Sequence, residues 1–103
     1  MSLYLIGYDL NYPEQKYDNL IGKIMEDIAT KEENYWHDLG STWIVKSAMA
    51  THEIFKLLRS QIDKDDELLV IRLPEKSECA WFGPLWTSEE WLRKHLPSIF
   101  IDS

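Results

Sequence analysis

Residues 13–31 carry a single apolar stripe. Tyr17, Leu20, Ile21, Ile24, Met25 and Ile28 recur at the i, i+3, i+4, i+7 spacing, which gathers them on one side of an α-helix. A helix that is apolar on one side only must bury that side against another element. The segments around it are rich in β-formers, so the partner is a sheet. Pro13 suits the first turn, where its missing N–H costs nothing. Glu14 and Asp18 stand near the helix start, where the dipole favours carboxylates.

The run before this helix, residues 3–11 (LYLIGYDLN), is too short and too β-prone to be helical and predicts a buried strand. It ends abruptly on Asp9. Residues 34–47 predict two strands, Tyr35–Leu39 and Thr42–Ser47, joined or bent at Gly40. Residues 51–61 predict a second helix, capped by Thr51, with Ile54, Leu57, Leu58 and Ile62 on its buried side. A charged turn at 63–67 leads into a strand at 68–73, closed by Pro74. The order β-α-β-β-α-β is that of an α+β fold with a ferredoxin-like antiparallel sheet.

Residues 74–103 are a C-terminal extension of this 3–73 core. Residues 80–82 predict a short edge strand before the Gly83-Pro84 break. Thr87-Ser88-Glu89-Glu90 reads as a capping box opening a short helix, with Trp91, Leu92 and His95 or Leu96 inward. Residues 98–102 form a terminal strand or simply dock. No repeat or linker divides the chain, so 1–103 reads as a single domain.

Of 103 residues, 45% are hydrophobic and 28% charged, which describes a globular chain that folds without staples. Cys79 is the only cysteine, so no intrachain disulfide forms. No leader-like segment opens the chain and no apolar run approaches the ~20 residues that span a bilayer, so the expected location is cytoplasmic. A net charge of −7 disfavours nucleic acid as a partner without excluding it, since a local basic patch or bridging metal ions would still permit binding. The basic residues Lys46, Lys56, Arg59, Lys64, Arg72 and Lys76 form no run.

Asp9 is the candidate site residue. A carboxylate at a strand end can ligate a hard divalent cation, alone or with its symmetry mate across a dimer axis. It can equally hold the following turn by accepting backbone N–H groups around Asn11. His37-Asp38 resembles a base with its orienter, yet neighbours on a strand face opposite sides. His52 and His95 read as surface or capping residues, and the three histidines lack metal-ligand spacing. Trp36, Trp43, Trp81, Trp86 and Trp91 lack interleaved cations, so core or interface packing is favoured over base stacking. Ser41 has no nucleophile elbow around it, and Cys79 has no activating neighbour in sequence.

YLIGYDLN, WHDLGSTWIVKS, HEIFKLLRSQI and ELLVIRL together resemble the small bacterial proteins labelled SinR-like. That group stands near the CRISPR-associated ferredoxin-fold endoribonuclease family, which supplies the dimeric core of the spacer-integration complex. The family's Tyr-Asp pair at the end of the first strand is matched by Tyr8 and Asp9, and its serine followed by hydrophobic strand residues by Ser41-Thr42-Trp43-Ile44-Val45. The likeness covers about residues 3–73. It implies a homodimer whose two Asp9 carboxylates face a shared cleft where Mg²⁺ or Mn²⁺ supports phosphodiester hydrolysis. The basic helix residues of many relatives are replaced here by Asn11-Tyr12-Pro13-Glu14. The same resemblance supports an alternative, a non-catalytic dimeric scaffold that binds a protein partner.

Overall fold

The structure is a computed structural model that describes residues 1–11, 13–74, 76–83, 89–96 and 98–101, and the side chains of all of these except 13–16. Strand β1 (Ser2–Asp9) is followed by helix α1 (Pro13–Lys23), strands β2 (Tyr35–Leu39) and β3 (Thr42–Ser47), helix α2 (Thr51–Arg59) and strand β4 (Glu67–Leu73). Strand β5 (Cys79–Trp81), helix α3 (Glu90–His95) and strand β6 (Ile99–Ile101) are the remaining elements among the described residues. The first four strands form an antiparallel sheet in the order β2-β3-β1-β4. β5 and β6 form a separate parallel pair.

Alternation along β1 decides the two layers. Tyr4, Ile6 and Tyr8 point to one side and join Trp43 and Val45 of β3 beneath Leu20 and Ile24 of the first helical segment and Ile54 and Leu58 of α2. This is the main core. On the other side, Trp36, Ile44, Leu3 and Leu73 pack against Leu92 and Leu96 of the extension, with Trp81, Trp91 and Ile99 at the margin. The extension therefore closes the sheet's second face at one end.

Several local expectations are refined. The predicted 13–31 helix runs as α-helix only to Lys23 and continues as a wider π-turn over Ile24–Ile28, closed by Ala29 N–H to Ile24 O at 2.7 Å. The wider turn buries both Ile24 and Ile28. Thr51 is not the cap of α2. Ala50 holds that position, and the Glu53 carboxylate reaches back to accept its N–H at 3.0 Å. The edge strand expected at 80–82 sits one residue earlier. Of the Thr87–Glu90 capping box, Thr87 and Ser88 lie outside the described residues, as do Pro84 and Trp86.

Candidate functional site

Asp9 ends β1, exposed, directly opposite Glu67 at the start of β4. Directly opposed residues in an antiparallel pair share a face and stand about 5 Å apart at Cβ. Two carboxylates therefore lie side by side on the half-covered face, lining a groove of about 410 Å³ with Gly7 and Leu69. Among the described residues neither carboxylate has a hydrogen-bond or ion-pair partner. In sequence Glu67 is legible only as the last residue of the acidic turn at 63–67, and the pairing of β1 with β4 is what sets it against Asp9.

The turn-holding role considered for Asp9 belongs to another residue. The Asn11 N–H donates to Asp66 Oδ1 at 2.7 Å, and the Asp63 N–H donates to Asp66 Oδ2 at 2.7 Å. One carboxylate thus ties the end of β1 to the loop that opens β4, and Asp9 is left facing solvent.

Tyr8, its neighbour, turns the other way into the core. Its hydroxyl accepts the Trp43 indole N–H at 3.0 Å, and its ring meets Tyr17 edge-on at 5.5 Å. Tyr17 in turn shares a 3.0 Å hydrogen bond with Ser41 Oγ, and the Tyr8 N–H donates to Ser41 O at 3.1 Å. Burial pushes the Tyr8 phenol above its ordinary pKa, the Trp43 hydrogen bond opposes the rise, and nearby Tyr17 adds to it. Tyr8 and Ser41 accordingly brace the strand end that presents Asp9.

The other candidates are structural. His37 stacks on Trp43 at 4.0 Å, and its Nδ1 lies 3.0 Å from Thr42 O, so the protonated Nδ1 donates there. Asp38 instead lines the cavity of Trp36 and Trp91 on the opposite side of the sheet, in keeping with strand alternation. Trp36 packs edge-on against Trp81 at 5.0 Å, and the Trp91 indole donates to Glu33 O at 2.8 Å. Burial raises the Cys79 thiol pKa, the opposite of what a nucleophile requires.

Among the described residues no group of three or more His, Cys, Asp or Glu side chains is placed to hold a metal ion. The Asp9–Glu67 pair is a two-carboxylate arrangement. That suits Mg²⁺, which keeps several waters and takes one or two protein carboxylates with substrate phosphates. No described helix is long and apolar enough to cross a membrane. Comparison with family models, curated proteins and solved structures finds no match to this chain.

Proposed function

We propose that this chain is a metal-dependent endonuclease that acts as a homodimer, with Asp9 and Glu67 holding Mg²⁺ or Mn²⁺. The observation that carries the reading is the unpartnered pair of opposed carboxylates at the β1 end. Like charges placed directly opposite each other cost stability, and a divalent cation offsets that cost. When bound, the cation would supply an activated water and charge stabilisation at a scissile phosphate. Asp9 and Glu67 would hold it, while Tyr8, Ser41 and Asp66 would keep the strand end in place.

The dimer reading rests on the uncovered part of the sheet. Leu69 is 54% exposed and Ile71 43% exposed, both on the face that carries Asp9, and β4 is an edge strand. An apolar patch on such an edge is a self-association surface. A two-fold axis beside it would bring two Asp9–Glu67 pairs to one cleft. The ferredoxin-like arrangement is supported by the β-α-β-β-α-β order through Leu73 and by the β2-β3-β1-β4 sheet with both helices over one face.

The same exposed patch favours a second reading, a non-catalytic dimeric module, and the acidic net charge of −7 fits a protein partner better than a nucleic acid. End-labelled RNA and DNA incubated with Mn²⁺ separate the two. Cleavage that disappears in Asp9→Asn and Glu67→Gln, with the dimer retained by light scattering, is the expected result. An intact dimer that cleaves neither substrate leaves the scaffold reading in place.

A further inference from the structure

The opposite end of β1 carries the opposite charge. Lys46 of β3, Arg72 of β4, and Lys94 and His95 of α3 line one cavity of about 270 Å³, floored by Leu3 and Leu73. Among the described residues no carboxylate lines it, in a chain with 18 acidic and 11 basic residues. The sheet register pairs Leu3 with Lys46 on one side and with Leu73 on the other, which sets Lys46 and Leu73 on one face, while Arg72 pairs with Tyr4 and reaches the cavity from the edge strand β4. The ion pairs seen on helices, Lys23–Asp27 and Arg93–Glu89, lie elsewhere. Among the described residues Lys46, Arg72 and Lys94 have no acidic partner.

A second observation points to a ligand. His95 Nε2 is buried and has no hydrogen-bond partner among the described residues. A buried polar atom left unpaired costs stability until something satisfies it. The charged groups that act on this ring are Lys46 from β3 and Lys94 beside it on α3, and the Trp91 ring lies 4.2 Å away. These charged groups are both cations, so an anion relieves their mutual repulsion and accepts a hydrogen bond from Nε2–H.

We propose that this cavity is a binding site for a phosphate-type anion, held by Lys46, Arg72 and Lys94 with His95 Nε2 as a further donor. The site lies about 20 Å from Asp9, the length of β1 at ~3.3 Å per residue, and it stands whether or not the carboxylate pair binds metal. Arg72 supplies a planar fork for two phosphate oxygens, and the lysines supply point charges. Burial, then Lys46 and Lys94, holds the His95 imidazole below its ordinary pKa of 6.5. A bound dianion reverses the sign of the local field and raises that value.

Titration of the protein with inorganic phosphate, against sodium chloride at matched ionic strength, tests the site by NMR. The expected result is saturable binding in the millimolar range, with the His95 ring protons titrating at higher pH when phosphate is present. Lys46→Gln and Arg72→Gln should each weaken binding by about tenfold, the value of one charge-assisted contact. Lys94→Gln, on an exposed helix position, serves where either sheet variant fails to fold, and Lys23→Gln should change nothing. A dinucleotide with and without a 5′-phosphate distinguishes the source. Tighter binding of the phosphorylated form than of free phosphate assigns a nucleotide terminus, and equal or weaker binding assigns the free anion. A response no larger than that to chloride, or one unchanged in the Lys46, Arg72 and Lys94 variants, would overturn the proposal.

Discussion

The two faces of the central sheet are closed by different means. On the helix side, Tyr4, Ile6, Tyr8, Trp43 and Val45 are all buried beneath two amphipathic helices whose stripes match the sheet. On the other side, a six-residue helix and a pair of three-residue strands cover only the end marked by Leu3, Ile44 and Leu73, and Leu69 and Ile71 stay exposed. The first face supplies stability. The second has surface to spare, and the carboxylate pair and the cationic cavity lie along it or at its rim. A small fold with one fully closed face can use the other for chemistry or association.

That difference predicts a graded set of responses. Leu58→Ala, in the fully buried helix-side core, should cost about 3–5 kcal/mol, and Leu92→Ala under the extension about 2–3 kcal/mol, because a short helix relaxes into the gap more readily. Urea denaturation measures both, and equal losses would mean that the two faces are equally rigid. Leu69→Lys should leave monomer stability within about 0.5 kcal/mol while shifting the proposed dimer toward monomer in light scattering. A variant dimer as tight as the parent would place the interface elsewhere.

The rim offers a pH test. Because His95 has a depressed pKa in the folded chain, the unfolded chain takes up a proton near pH 6.5 that the folded one resists. Its contribution to stability is present above that pH and is lost as the pH falls through the folded value. His95→Gln should therefore flatten the dependence of stability on pH just below 6.5, read from denaturation midpoints. An unchanged slope would mean that the ring is not buried as described. The smallest effect belongs to Asp9→Asn, which removes a like-charge opposition to Glu67 and should raise stability by about 0.2–0.5 kcal/mol without metal. A loss of similar size would return Asp9 to the role of turn former.

What the sequence made legible follows the range of the forces involved. The hairpin β2–β3 was readable to the residue because β-branched and aromatic runs flank Gly40-Ser41. The stripes of both helices were readable because periodicity is local. The π-turn at Ile24–Ile28 was not, since Ile24 and Ile28 satisfy the apolar spacing of either helix type. Glu67 and the cluster of Lys46, Arg72 and Lys94 depend on long-range placement: register sets 9 against 67, Leu3 against both 46 and 73, and Tyr4 against 72, and α3 brings Lys94 to them. In sequence those cations form no run. Asp66, one residue before Glu67, took over the turn, and nothing in the local composition separated the two roles.

Isothermal calorimetry of Mg²⁺ and Mn²⁺ binding at near-physiological salt, comparing the parent with Asp9→Asn and Glu67→Gln, decides whether the carboxylate pair holds a metal. A metal held between Asp9 and Glu67 requires binding in the parent that is lost in both variants while the fold is kept. Binding that survives in Asp9→Asn, or its absence from all three proteins, would contradict it.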